Sequence, residues 1–248
     1  MEHFPYTLTG PIGSVATLGL VVLQVDETIE QDCRRLFSHP DVALYISRIP
    51  SGTDLTPETI AQMAIDLPQA AALFPPAARF DAIGYACTSG TTLIGADRVA
   101  QLVMGGADTR AVTNPLTASI AAFTALKVNT IAIVSPYITS VAIPIRDAFV
   151  AAGFDVPATI SFGERTEANV ARIDPASIRD AALEIGQTPG IQAVFLSCTN
   201  LRTLGTIAEL EHRLGLPVVS SNQALAWHMA RIASAPIGPD APGVLFSR

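Results

Sequence analysis

Short, continuous apolar runs alternate along the chain with longer stretches in which apolar residues recur every three or four positions. Gly, Pro and Asn punctuate the joins. The unbroken run Leu18–Leu23 predicts a strand buried on both faces, and Val42–Ile46, Ala82–Ala86, Ala111–Val112, Ile131–Val134, Thr159–Ser161, Ala193–Leu196 and Val218–Val219 predict further strands. Between them the 3.6-residue period predicts helices. One opens at Thr56-Pro57-Glu58, with Thr56 as N-cap, and runs to about Leu73. Others cover Thr92–Met104, Pro115–Leu126 behind Asn114, Thr139–Ala152 up to Gly153, a segment opening at Asp174-Pro175, Thr203–Leu214 and Gln223–Ile232. Strands alternating with helices in this way predict an α/β fold, with parallel sheets covered by helices on both faces.

The same order of elements occurs twice. Val15-Ala16-Thr17 resembles Val128-Asn129-Thr130, and the second strand resembles the Phe154–Ser161 region. Phe80–Ser89 resembles Ile191–Asn200, each a buried strand running into Cys-Thr, and Ala111–Pro115 resembles Val218–Asn222. The chain therefore reads as two similar α/β lobes, residues 1–114 and 115–218, with 219–248 crossing back onto the first.

Composition narrows the function. The 248 residues are 49% hydrophobic, 15% charged and 6% aromatic. The charged share is well below the roughly 25% of an ordinary soluble domain, so much surface is expected to be buried in a large core or between subunits, and a homo-oligomer, dimer or tetramer, is expected. A net charge of −7 argues against a nucleic-acid partner. The longest apolar stretch, Val15–Val25, contains Thr17 and Gln24 and is too short to span a bilayer. Met1-Glu2-His3 has no basic leader, so a cytoplasmic location is expected, with no membrane partner. Cys33, Cys87 and Cys198 are odd in number and far apart, which is no disulfide framework.

Cys87 and Cys198 stand out because they occupy equivalent places in the repeat, each after a buried strand, before a predicted helix and followed by Thr. The carboxyl ends of parallel strands are where α/β sites form. A thiol at a helix N-terminus feels the positive end of the dipole and is expected to titrate low. Thr88, Ser89, Thr199 and Asn200 add donors suited to a carboxylate. Cys33, beside Arg34 in a helix expected between the first two strands, has no counterpart and reads as packing. There is no G-x-S-x-G elbow, phosphate loop or G-x-G-x-x-G. His3, His39, His212 and His228 are scattered, so no metal site is expected.

Over its whole length the chain resembles the aspartate/glutamate racemase superfamily, in the branch holding maleate cis-trans isomerase, arylmalonate decarboxylase and the racemase-like proteins associated with ectoine utilisation. Tyr85-Ala86-Cys87-Thr88-Ser89-Gly90, Ser197-Cys198-Thr199-Asn200-Leu201 and Ser220-Ser221-Asn222-Gln223-Ala224 carry the resemblance and are most similar to the ectoine-associated group. It implies two Rossmann-like lobes related by a pseudo-two-fold axis, with a cofactor-free site between them. Amino-acid racemases have Asn after the first Cys and His after the second Cys-Thr, whereas Thr88 and Asn200 stand here. In the decarboxylase the position of Cys87 is not Cys. The resemblance also makes Tyr137 a carboxylate donor and Asn169 a substrate contact. Asp26 stands where maleate isomerases carry a carboxylate-holding Asn, so it either caps the following helix or faces the substrate.

These residues and the resemblance together predict a cofactor-independent racemase or epimerase of a small carboxylate, amino-acid-like or, as the resemblance implies, ectoine-derived, with two opposed thiols as acid and base. The alternatives are maleate-type cis-trans isomerisation with Cys87 as nucleophile, and arylmalonate-type decarboxylation.

Overall fold

The computed structural model describes residues 1, 3–54 and 56–248, so Glu2 and Leu55 lie outside the described residues. In the first half, strand β1 (Ala16–Leu23) leads to helix α1 (Ile29–Leu36), β2 (Val42–Ile49), α2 (Pro57–Ala72), β3 (Ala82–Ala86), α3 (Thr88–Ile94), α4 (Ala96–Met104) and β4 (Val112–Thr113). The second half follows with α5 (Pro115–Leu126), β5 (Thr130–Tyr137), α6 (Thr139–Ala151), β6 (Asp155–Glu164), α7 (Glu167–Val170), α8 (Pro175–Ile185), β7 (Ala193–Leu196), α9 (Ile207–Leu214), β8 (Val218–Ser220) and α10 (Ser221–Ala233). Two four-stranded parallel sheets result, ordered β2-β1-β3-β4 and β6-β5-β7-β8. The repeat in the sequence is thus a repeat of topology.

The apolar runs explain the central strands. Every residue of β1, β3 and β7 is buried, as strands covered by helices on both faces require. Local capping explains the helix starts. Thr56 forms a reciprocal capping box with Thr59, Asn114 accepts the Thr117 amide at 2.8 Å, and Asp174 accepts the Ala176 amide at 2.8 Å. After each sheet the chain crosses to the other. Phe123 of α5 meets Phe149, Phe154 and Phe195 of the second half edge-to-face at 5.9–6.2 Å. Reciprocally, Leu225 and Met229 of α10 lie against Gly84 of β3, and α5 and α10 pack on one another.

Three expected elements differ. The single helix over 92–104 is two, α3 and α4, because Gly95 sits at φ 92° between them and α3 begins four residues earlier, capped by Cys87. The helix expected from Thr203 begins as a 3-10 turn, Leu204–Thr206, and becomes α-helical only at Ile207. Strand β6 extends far beyond 159–161. It is an outer-edge strand whose residues alternate between exposed and half-buried, so no apolar run announces it. No helix among the described residues is long and apolar enough to cross a membrane.

Candidate active site

Cys87 and Cys198 follow β3 and β7, an interior strand of each sheet, and the two motifs interlock. The Thr199 hydroxyl donates to the Ala86 carbonyl at 3.2 Å, one residue from Cys87. The Ser221 hydroxyl accepts the Cys198 amide at 3.1 Å and shares a hydrogen bond with the Thr88 hydroxyl at 3.0 Å. Both cysteines are free, and they are only 2% and 3% exposed.

Their settings are not equivalent. Cys87 is the N-cap of α3; its sulfur accepts the Gly90 amide at 3.1 Å and lies 3.6 Å from the Ser89 hydroxyl. A Cβ at position 90 would fall 2.7 Å from the Tyr85 hydroxyl and 2.8 Å from the Cys87 sulfur, so only Gly lets both groups converge there. Cys198, by contrast, is not at a helix start. It sits in a turn at φ 140°, a conformation that costs a non-Gly residue about 1–3 kcal/mol, and its sulfur accepts the Asn200 amide at 3.4 Å.

The expectation that helix dipoles depress the thiols is overturned. Burial pushes Cys87 up to about 11, against the Ser89 hydroxyl and the Gly90 amide. Burial and the neighbouring Glu167 push Cys198 well above the ordinary thiol range, with the Tyr137 hydroxyl opposing. A helix terminus contributes about 0.3–1 kcal/mol, less than one pKa unit, whereas full burial shifts a group by up to about 3–5 units. Desolvation wins, and both groups rest as thiols.

The other expected residues divide into two sets. Tyr137 ends β5, is buried, and places its hydroxyl beside the Cys198 thiol; burial and Cys198 hold its own titration well above the usual phenol range. Asp26 caps α1 with one oxygen and buries the other. Oδ1 accepts the Thr28 and Ile29 amides at 2.8 and 3.0 Å, capping α1, while Oδ2 is buried without a hydrogen-bond partner. Burial raises its carboxyl, and those two amides oppose the rise. Asn200 is committed to backbone. It accepts the Glu27 amide at 2.9 Å and donates to the Glu167 carbonyl at 3.1 Å, which leaves no amide group over for a substrate. Thr88 and Thr199 are likewise engaged with Ser221 and Ala86. Asn169 is exposed on α7 beside Glu164.

Sequence reasoning missed Glu167, Ser221, Tyr85 and Gly90. Glu167 is 4% exposed, and burial, with the Asp26 charge added, lifts it to about 7. It acts on both thiols and on Tyr137. Nothing local marks it, since it opens a four-residue helix among exposed neighbours. Ser221, Tyr85 and Gly90 stand inside the repeated motifs, and their position there was the available signal. A cavity of about 400 Å³ lies between α1 and the segments around α8 and residues 202–206; its lining includes Thr28 and Asp32 but neither cysteine. Among the described residues no His, Cys, Asp and Glu side chains are grouped to hold a metal ion.

Both the sequence and the fold have counterparts among known proteins. The sequence profile of the arylmalonate decarboxylase family matches residues 77–246. The chain is 31% identical to arylmalonate decarboxylase of Bordetella bronchiseptica over 89% of its own length and 91% of the relative's. Its fold is similar to that of maleate isomerase from Pseudomonas putida S16, with a TM-score of 0.85 at 23% identity, covering 94% of this chain and 99% of that one. It is also similar to maleate cis-trans isomerase from Nocardia farcinica, solved with a covalently bound succinylcysteine intermediate; the TM-score is 0.82 at 23% identity, over 93% and 98% of the two chains.

Proposed function

The chain belongs to the arylmalonate decarboxylase family, and from that premise we propose a cofactor-independent racemase or epimerase of small carboxylates. The observation that carries this reading is the pair of free, buried cysteines at matching strand ends, with one buried carboxyl, Glu167, acting on both. Decarboxylation needs a proton delivered to one face only, whereas two thiols suit removal on one face and return on the other. The segments around Cys87, Cys198 and Ser221 resemble the ectoine-associated proteins and favour an amino-acid-like or ectoine-derived substrate.

The chemistry starts from two thiols, so one must first be deprotonated. Cys87 is the better candidate, because the Gly90 amide and Ser89 hydroxyl point at its sulfur. The proton it releases passes to solvent as the substrate enters. The thiolate then removes the hydrogen α to the substrate carboxylate. The C–H electron pair moves into the carboxylate as an enediolate, which the Tyr137 hydroxyl stabilises. The opposite thiol gives its proton to the other face, leaving the mirror arrangement of thiol and thiolate.

Cis-trans isomerisation is the second reading, favoured by the likeness to the two maleate isomerases. There Cys87 would add to the alkene, the resulting single bond would rotate, and elimination would restore the double bond. Solvent deuterium separates the two. Incubation in D2O with a panel of small α-substituted carboxylates should place deuterium at the α-carbon. Cys87→Ser and Cys198→Ser should each lower racemisation by at least about 10²-fold. Conversion of maleate to fumarate without α-deuterium in any carboxylate would put the second reading first.

A further inference from the structure

Asp26 and Glu167 are both buried carboxyls. The Asn200 amide joins their segments, donating to the Glu167 carbonyl at 3.1 Å while accepting the Glu27 amide at 2.9 Å. Two backbone amides fix Asp26 Oδ1, so the direction of Oδ2 is fixed too, and that oxygen is buried with no partner. Thr199 stands beside it, but its only hydroxyl proton is aimed at the Ala86 carbonyl. Among the described residues no ion pair uses Asp26 or Glu167. The guanidinium of Arg48 faces the carbonyls of Leu23, Gln24 and Asp26 and the Glu30 carboxylate, and Arg172 pairs outside the site with Glu27. Arg48 favours the Asp26 charge without pairing with it, and two buried carboxyls so placed must either stay protonated or gain a cationic ligand.

We propose that Asp26 and Glu167 form a cation subsite, in which an ammonium or amidinium nitrogen of the substrate donates to Asp26 Oδ2 and to the Glu167 carboxylate. The assignment rests on the two-thiol reading and names the substrate class for it: a small carboxylate with a cationic nitrogen at its far end. Such a cation would also favour thiolate formation nearby, whereas a second substrate carboxylate would oppose it and repel Asp26.

The test is calorimetric binding of diaminopropionate, diaminobutanoate, ornithine and maleate to the full chain and to Asp26→Asn. Asn can still accept the Thr28 and Ile29 amides, so the cap on α1 is kept. At least one diamino acid should bind wild type more tightly than maleate, and Asp26→Asn should reduce that preference by roughly 30-fold. Should Asp26→Asn fail to fold, Glu167→Gln carries the same expectation. Failure of every diamino acid to bind overturns the subsite, as does a preference unchanged by the substitution. Tighter binding of maleate by wild type overturns it too, because it would mean that a protonated Oδ2 donates to a second carboxylate. The two-thiol reading is judged separately. Cys87→Ser should lose α-deuterium exchange yet keep the binding preference, and a wild type that prefers diamino acids without exchanging their α-hydrogen would sink the mechanism while leaving the subsite standing.

Discussion

Glu167 shows how a single residue can work against the fold that holds it. Its carboxyl titrates at about 7 in the folded chain against 4.5 ordinarily, chiefly because it is buried. Between those values the folded chain holds a proton that the unfolded chain has lost. The stability tied to Glu167 is therefore fully present below about pH 4.5 and is lost as the pH rises through 7. Asp32, raised to about 6 by burial with the Asn222 amide opposing, adds the same sign in a lower window. Glu167→Gln should accordingly stabilise the protein at pH 8 by about 1–3 kcal/mol and have little effect at pH 4. Urea denaturation at the two pH values measures it. If the variant is no more stable at pH 8, Glu167 is not held against its charge.

Among the elements, α10 does more than close the chain. Its start is secured by a capping box between Ser220 and Gln223, and the next residue, Ser221, joins two other segments. The Ser221 hydroxyl receives the Cys198 amide and meets the Thr88 hydroxyl at the start of α3. One hydroxyl thus holds the strained Cys198 turn against the helix that Cys87 caps. Ser221→Ala leaves a buried amide without a partner, which should cost about 1–3 kcal/mol. Because the loss falls on the position of a thiol, turnover should drop while KM changes little. Steady-state kinetics and urea denaturation on the same preparation check both parts, and a variant with unchanged kcat would show that Ser221 does not position Cys198.

At the scale of the whole molecule, the two halves are joined by buried polar ties as well as by the exchanged helices α5 and α10. Asn200 reaches Glu27, Val25 and Glu167 at once, and the Thr28 hydroxyl donates to the Asn200 carbonyl at 2.9 Å. Arg172 spans the same gap at the surface, paired with Glu27 at 2.6 Å, with both side chains more than half exposed. Burial decides which tie matters. Asn200→Ala should destabilise by about 2–4 kcal/mol, since it leaves several buried groups unpaired. Arg172→Ala should change stability by less than about 1 kcal/mol. Equal effects of the two on the midpoint of thermal unfolding would refute that ranking.

Much of this architecture is local in origin and so was legible in the chain. Strands buried on both faces must be unbroken apolar runs, which is why Ala82–Ala86 and Ala193–Leu196 could be read to the residue. Thr56, Asn114 and Asp174 cap helices within three positions of themselves, so their signals are contiguous. The repeat placed Cys87 and Cys198 at equivalent strand ends, and the resemblance drew attention to Tyr137 and Asp26. What only the tertiary structure decided depends on groups brought in from far along the chain. Asn200 is 173 positions from the Glu27 amide it binds, and Ser221 is 133 from Thr88. Edge strand β6 and the buried Glu167 left no local pattern. The protonation of the thiols followed the same division: a helix start is visible in the sequence, but the burial that outweighs its dipole exists only once both halves have closed over the sulfurs.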